Sequence, residues 1–501
     1  MSMSPRTEEL GPARSAYPKL RLRVLLLLSA VFSGCAVGPN FHSPAAPQVS
    51  RYSAQSGPGT TPEAQGTAQR FVVGAEVAAQ WWELFRSPAL DAMVREALAG
   101  NPGLDAARAN LRASEDNLRS GYGIFYPSLE AGASATRERL NPKSFGEAIP
   151  GSLFNVFSLS ATVSYALDVF GGQRRLVEEL HAQVDVAQAN ARATYLALAA
   201  NVIDTAVAEA AYRAEIDALE GLIELQKDQV AIAAVQAQAG TVPYSNVLSL
   251  KSQLATSEAS IPALEQKLEQ SEDLLAALTG HVPAEWHAPP LDLQDLRLPR
   301  DLPVSLPADL VRQRPDVLAA EATGHAASAN VGIATAALLP SFSLTGTLGS
   351  TANSTHGLLA PGNGAWNGGA TLSAPLFEGG TLWYKRRAAV DNYNAAMALY
   401  RQTVLAAFEQ VADSLHALDS DAAALSAQDE ALSTSAQALH LIQANYQAGI
   451  ATYLDVLNAD TQYRQAKIAD IQALAVRYQD TVALFAALGG GWWNAGPSGG
   501  E

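Results

Sequence analysis

The sequence predicts an α+β membrane protein made of two copies of one unit, in which a pair of strands leads into a long helical hairpin. Landmarks along the 501 residues recur in the same order at a near-constant offset. Each copy contains two segments with strand-like alternation of apolar and polar residues. Each copy then continues into roughly 68 proline-free residues with apolar positions at helical spacing.

The first 34 residues have the pattern of an export signal. Basic residues precede a short apolar run, 24–32, which ends in Ser33, Gly34 and Cys35. A membrane-spanning helix needs ~20 apolar residues, so residues 1–34 are predicted to be a cleaved lipoprotein signal peptide. Cys35 is the only cysteine and follows small residues, so we expect lipid attachment there. A buried cysteine behind an ordinary signal is the alternative.

Residues 35–75 are predicted to form a lipidated, extended tether. Pro, Gly, Ser, Gln and Ala dominate this stretch, and it has no hydrophobic period. Folded structure is expected to begin near Trp81 and Trp82. No later segment is apolar for long enough to predict a transmembrane helix.

An internal repeat organises the rest of the chain. Pro102 and Pro127 are 25 residues apart, and so are Pro315 and Pro340. Residues 239–248 match 448–457 at an offset of 209. A repeat this long is not a solenoid unit, which has ~20–50 residues. The sequence predicts, in order, a first repeat at 76–290, an equatorial connector at 291–306, a second repeat at 307–493 and a tail at 494–501.

Each repeat is predicted to contain two strands joined by a polar loop. The strands are 127–139 and 156–169 in the first repeat and 339–350 and 366–377 in the second, with loops at 141–154 and 351–365. A membrane β-strand needs ~9–11 residues, which these segments supply. Four strands cannot close a barrel, and an open sheet in lipid would leave edge N–H and C=O groups unpaired. The strands therefore belong either to a soluble sandwich or to a barrel pooled from several chains.

Long helices follow each strand pair. Residues 172–239 and 380–448 lack proline and have coiled-coil periodicity, and at ~1.5 Å per residue each helix would extend about 100 Å. Each ends at a glycine, Gly240 or Gly449, where the chain turns back into a helix of about 35–40 residues. A strand pair that feeds so long a hairpin indicates a membrane anchor with a periplasmic stalk.

The sequence gives no sign of catalytic chemistry. No His-Glu-x-x-His, Gly-x-Ser-x-Gly or phosphate-binding motif has the required context, so neither an enzyme nor a cofactor is expected. His281 and His287 flank Trp286 without a cysteine or carboxylate cluster, which favours surface histidines over metal ligands. The formal net charge of −16 disfavours nucleic acid as a partner.

Several motifs resemble one family, the TolC-like outer membrane efflux proteins, and within it the lipoprotein branch often labelled NodT-like. The motifs are the run from Gly34 to Phe41; Trp81 and Trp82 with Phe85, Pro88 and Leu90; the run from Gln313 to Val317 with Ala319, Ala320 and Glu321; Pro375, Leu376 and Phe377 with Gly379 and Gly380; and the run from Leu488 to Trp492.

The resemblance implies a homotrimer in which twelve pooled strands form one β-barrel that continues into a periplasmic α-helical barrel. It also implies three kinds of partner: a periplasmic adaptor, an inner-membrane pump of the resistance-nodulation-division type, and outer-membrane lipid. The expected function is the exit channel of a tripartite pump that expels small molecules, such as drugs and toxic compounds, through the outer membrane.

The resemblance further predicts two sites near the helix turns. The adaptor-docking tip would comprise the two turns at Gly240, Thr241, Gly449 and Ile450. The periplasmic aperture would comprise Leu454, Asp455, Asn458 and Tyr446. Three Asp455 carboxylates in one ring would attract cations and can raise the carboxylate pKa values. The alternative is that Asp455 is a solvated carboxylate in the first turn of a helix, where the helix dipole favours it.

Two other functions compete with efflux. The outer duct of a type I protein secretion system would have the same fold, and the sequence does not separate the two. A lipid-anchored periplasmic coiled-coil scaffold or adaptor is the rival from another class. Such a protein would lack the duplication and the paired strands.

Overall fold

The structure, a computed structural model, describes residues 36–53, 59–140 and 151–494. Within these ranges the main elements are, in chain order, β1 (Arg70–Val73), α1 (Pro88–Gly100), α2 (Pro102–Gly121), β2 (Ser128–Leu140), β3 (Ser152–Leu167), α3 (Gly172–Gln238), α4 (Tyr244–Thr279), β4 (Asp301–Val304), α5 (Pro307–Gln313), α6 (Pro315–Ala336), β5 (Ser341–Ala352), β6 (Gly364–Ser373), α7 (Thr381–Gln447) and α8 (Tyr453–Ala487).

The described chain divides into two compact units. Unit 1 takes its described residues from Met1–Phe41, Asn117–His181 and His325–Tyr393, and unit 2 contains the remainder. The predicted signal peptide, Cys35 and residues 495–501 of the predicted tail lie outside the described residues.

The strands of unit 1 form a four-stranded antiparallel sheet. Its order is β2, β3, β5, β6, so the strand pair of the first repeat lies directly beside the pair of the second. Between the two repeats, β3 and β5 pair along eleven positions, from Phe157 opposite Ala352 to Leu167 opposite Phe342. The two repeats therefore contribute to one continuous sheet.

All four predicted strands are present, but their ends differ from the prediction. Phe154 and Ala365 were predicted to lie in loops but belong to strands. Phe154 pairs with Glu138 and Ala365 pairs with Gly349, so both ladders extend beyond the segments in which apolar and polar residues alternate. The last strand stops at Ser373, short of the predicted 377. Pro375 follows two residues later and has no N–H with which to extend the ladder.

The two long helices have the lengths that the sequence predicts. Both α3 and α7 contain 67 residues, and the returning helices α4 and α8 contain 36 and 35. Both turns begin with a glycine in the left-handed region, Gly240 at φ +72° and Gly449 at φ +74°. The next residue, Thr241 or Ile450, donates its N–H to the carbonyl five residues earlier, which closes the helix end.

The prediction that folded structure begins near Trp81 was wrong. Strand β1 precedes it and pairs in parallel with β4, which lies inside the predicted connector. The pair is short, with Arg70 opposite Asp301 and Val73 opposite Val304. A four-residue strand whose partner is some 230 positions away leaves no local periodicity in the sequence.

Three aromatic residues near the start of the first repeat lie in the main apolar core of unit 2. Trp81, Trp82 and Phe85 form a short helical turn and are fully buried. Trp81 stacks on Phe485 of α8 with ring centroids 5.0 Å apart. The indole N–H of Trp82 donates to Asp91 of α1 at 3.0 Å. This turn therefore ties α1 and the end of α8 into one core.

Three helices of unit 2 bring carboxyl groups into this interior. Burial, together with the charge of Asp480 on α8, raises the pKa of Asp204 on α3 to about 7. Burial, with a hydrogen bond and charge from Asp480, likewise raises the pKa of Asp421 on α7 to about 7, and only Arg477 opposes this shift. One oxygen of Asp204 and one of Asp421 have no hydrogen-bond partner among the described residues.

The raised pKa of Asp204 predicts a loss of stability as the pH rises. The folded chain holds a proton there that the unfolded chain releases near pH 4, so the stabilisation is complete below about pH 4 and is lost as the pH approaches 7. Asp204→Asn should remove part of this slope and raise the unfolding midpoint at pH 8 by about 2–4 °C. The measurement is thermal unfolding in detergent at pH 5 and pH 8.

The exposed Asp217 on the same helix provides the control. Asp217→Asn removes an equal charge and should leave the pH slope unchanged. Equal slopes in wild type and Asp204→Asn would contradict the assignment.

Candidate functional site: the sheet and the helix turns

The four-stranded sheet has one apolar face. Cross-strand pairing places apolar side chains opposite one another. Leu348, for example, lies opposite Ala161 on one neighbouring strand and Trp366 on the other. Many of these apolar side chains are exposed in the single chain; Trp366 is 81% exposed and Leu348 is 66% exposed. The face comprises Leu129, Ala131, Ala133, Phe157, Leu159, Ala161, Val163, Tyr165, Leu167, Phe342, Leu344, Leu348, Trp366, Ala370 and Leu372.

The opposite face is polar and built from small residues. Serine and threonine lie across from each other on neighbouring strands, and the hydroxyl oxygens of Thr162 and Thr347 are 3.1 Å apart. Ser164 lies opposite Ser128 on one side and Thr345 on the other. A sheet that is apolar on one side and polar on the other is what a transmembrane barrel wall requires.

Both outer strands of this sheet have a free edge. Within the described residues β2 pairs only with β3, and β6 pairs only with β5. Each outer edge therefore presents backbone N–H and C=O groups that no described strand satisfies. Inside a bilayer such groups cost several kcal/mol each when they remain unpaired.

The predicted tip residues lie at two exposed turns of unit 2. Gly240, Thr241 and Gly449 are exposed, and Ile450 is 77% exposed although it is apolar. Thr241 also donates its hydroxyl to the carbonyl of Gln236 at 2.9 Å. Each turn is thus fixed by its own hydrogen bonds and leaves its side chains on the surface.

Asp455 begins helix α8 as part of a capping box. Its carboxylate accepts hydrogen bonds from the backbone N–H of Thr452 at 2.8 Å and from the Thr452 hydroxyl at 2.7 Å. Its own N–H donates to that hydroxyl at 3.3 Å. These bonds hold the pKa of Asp455 below its usual value, so the exposed carboxylate of the single chain remains ionised. The capping box also agrees with the first-turn alternative for Asp455.

The other predicted aperture residues surround the same turn. Asn458 is exposed and Leu454 is half-buried on the first turn of α8. Tyr446, near the end of α7, lies across the turn with its ring 5.6 Å from that of Tyr453. The prediction missed Thr452 and Tyr453, although the Thr-x-x-Asp spacing of a capping box is readable from sequence.

The described residues show neither a metal site nor a membrane-spanning helix. No group of three or more His, Cys, Asp and Glu side chains is arranged to hold a metal ion. None of the described helices combines the length and the apolar character that crossing a bilayer requires.

A family model and the similar proteins of known function indicate the same family. The model of the family "Outer membrane efflux protein" matches residues 93–281 and 306–490. The chain is 28% identical to the toluene efflux pump outer membrane protein TtgC of Pseudomonas putida over 472 residues, which are 94% of this chain and 95% of that protein. It is 30% identical to the pyoverdine export outer membrane protein OpmQ of Pseudomonas aeruginosa over 425 residues, which are 82% of this chain and 87% of that protein.

Solved structures agree with these relatives. The outer-membrane channel OprN superposes with a TM-score of 0.79 at 28% identity, covering 91% of this chain and all of that one. Proteins of this kind work in transport across the outer membrane and not in catalysis. The chain belongs to the outer membrane efflux protein family.

Proposed function

We propose that three copies of this chain form the outer-membrane exit channel of a tripartite efflux pump that expels small molecules. The four-stranded sheet with one apolar face, one polar face and two free edges carries this proposal. Known single-chain barrels begin at ~8 strands, so one chain cannot close its own. Pairing β2 of one copy with β6 of the next, three times, satisfies every edge in a twelve-stranded barrel.

The strand lengths support a position in the membrane. The four strands have 13, 16, 12 and 10 residues, and a tilted membrane strand needs ~9–11. The apolar face would meet lipid, while Ser, Thr and Gly on the other face would line a water-filled lumen. The 67-residue helices α3 and α7 would continue from this barrel into the periplasm as a tube.

The partners follow from the exposed turns and from the relatives. TtgC is named as part of a toluene efflux pump, and such a pump needs an energy-coupling component. A periplasmic adaptor would dock on the tip turns at Gly240, Thr241, Gly449 and Ile450. An inner-membrane pump of the resistance-nodulation-division type would supply the energy, and lipid on Cys35 would anchor the channel in the outer membrane.

The aperture would form where three copies of helix α8 begin. Asp455 is exposed and ionised there, and the capping box holds its carboxylate in one position. Three such groups around a threefold axis would create a negative ring that stabilises a cation, since charges within a Debye length of ~8 Å are only partly screened. Leu454 and Asn458 would supply the remaining bulk of the constriction, with Tyr446 beside it.

The trimer is tested by charging each face of one strand in turn. Detergent-extracted protein should have the mass of three chains. Leu348→Arg places a charge on the apolar face, where arginine at the bilayer midplane costs about 2–4 kcal/mol, and should greatly reduce the yield of trimer. Thr345→Arg, on the polar face of the same strand, should leave the yield unchanged. A monodisperse monomer with full β content would exclude the architecture.

Lipid attachment is tested at Cys35. The wild-type mature N-terminus should carry acyl chains by mass spectrometry, and Cys35→Ser should lose them and mature slowly. The strands should still permit some insertion of that variant. An unmodified Cys35 at the N-terminus of the mature wild-type protein would refute lipidation.

The aperture is tested by removing the charge and the cap separately. Asp455→Asn keeps an oxygen that can accept from Thr452 but loses the charge, and should weaken both cation preference and block by multivalent cations in bilayer recordings. Thr452→Ala weakens the cap and keeps the charge, so selectivity should persist. If Asp455→Asn changes neither property, the constriction lies elsewhere.

A further inference from the structure

The first described residues, 36–41, form a strap that lies against the rest of unit 1. The backbone N–H of Val37 donates to the carbonyl of Phe170 at 3.0 Å, at the point where the chain leaves β3. A Cβ atom at Gly171 would lie 2.5 Å from the Cα atom of Ala36, so the strap approaches as closely as a glycine permits. The strap therefore starts at the junction between the sheet and helix α3.

Arg175 on the first turn of α3 holds the middle of the strap. Its side chain is only 4% exposed, and its guanidinium donates to the carbonyls of Val37 at 3.2 Å and Gly38 at 3.4 Å. It also donates to the side-chain oxygen of Asn40 at 2.7 Å. The planar guanidinium of arginine has several N–H donors in fixed directions and can reach all three oxygens at once, whereas the single ammonium group of lysine cannot.

A second helix, α6 of the other repeat, also contacts the strap. Gly38 has φ +94°, and a Cβ atom there would lie 2.5 Å from the Cα atom of Gly332 on α6. The ring of Phe41 stacks on His325 of the same helix with centroids 4.6 Å apart. The strap thus contacts α3 of the first repeat and α6 of the second.

The two helices are also linked beneath the strap. Glu178 accepts from Arg175 at 2.6 Å through one carboxylate oxygen and contacts His325 Nε2 at 3.1 Å through the other. The buried guanidinium is therefore paired with a carboxylate, which offsets the cost of removing its charge from water. We call Gly171, Arg175, Glu178, His325 and Gly332 the strap seat.

We infer that Arg175 is a positioning residue for the strap. It holds residues 36–41 in the strap seat through its hydrogen bonds, an arrangement called here the Arg175 lock. The lock fixes Ala36, the residue next to the lipid-bearing cysteine, at the junction of the sheet and helix α3. The role in anchoring rests on the proposed lipidation, but the docking of the strap does not. The same residues also connect the first repeat to the second beside the sheet, because Glu178 of α3 contacts Arg175 on the same helix and His325 on α6. An acyl chain alone would leave the attachment point free to move over the protein surface.

Hydrogen–deuterium exchange of the full-length protein in nanodiscs tests the lock. In wild type the Val37 amide should exchange slowly because it is bonded to Phe170. Arg175→Ala should raise its exchange rate at least tenfold, and Arg175→Lys should restore only part of the protection because lysine cannot serve all four oxygens. Arg387→Ala, which removes an exposed arginine from the same unit, should have no effect.

Gly38→Ala tests the same docking without altering the seat. The added methyl group would clash with the backbone of α6, so the strap should be released while peptides from α3 and α6 keep their protection. This variant also decides the matter if Arg175→Ala does not fold. Unchanged exchange at Val37 in Gly38→Ala, or full protection in Arg175→Lys, would overturn the inference.

Mass spectrometry of the same samples separates this inference from lipidation. Val37 should stay protected in Cys35→Ser, which lacks the acyl chains. A wild-type protein without acyl chains but with a protected strap would refute lipidation and leave the lock standing. An acylated wild type with an unprotected strap would refute the lock alone.

Discussion

The need to pair every backbone group inside a bilayer is the constraint on which the proposed trimeric barrel depends. The sheet of one chain satisfies the inner edges of its four strands but leaves β2 and β6 open. Lipid offers no hydrogen bonds, so in the proposed trimer the open edge of β2 pairs with the open edge of β6 of the next copy. A head-to-tail match of β2 with β6 generates a ring, and a closed ring has no edges left.

The duplication would make the proposed ring regular. Because β3 and β5 join the two repeats in one antiparallel ladder, each repeat contributes an equivalent strand pair. Small polar side chains on one face, such as Thr162 and Thr347, hydrogen-bond to each other and leave space beside the wall. Larger apolar side chains on the other face, such as Leu348 and Trp366, are left exposed by the described residues of the chain.

Local patterns predicted the elements, and long-range contacts escaped prediction. Strand alternation, proline-free helical runs and the glycines at 240 and 449 are local signals, so strands, helices and turns were found. Helix α2 was missed although Asn101 accepts from the N–H of Leu104 at 3.0 Å and Pro102 follows it, a readable start signal. The β1–β4 pair and the Arg175 lock join segments more than 130 residues apart, for which a single sequence carries no signal.

The two helix turns show how the copies of a duplicated unit diverge. Both close with the same glycine geometry, but α4 begins after Pro243 without a side-chain cap, whereas α8 begins with the reciprocal bonds of Thr452 and Asp455. A proline presets the backbone and adds no charge, while the capping box fixes a carboxylate at the surface. The backbone requirement of the turn is met in both copies, so the side chains after it were free to differ. The second turn therefore presents a carboxylate held by hydrogen bonds, which is the feature that the proposed aperture requires.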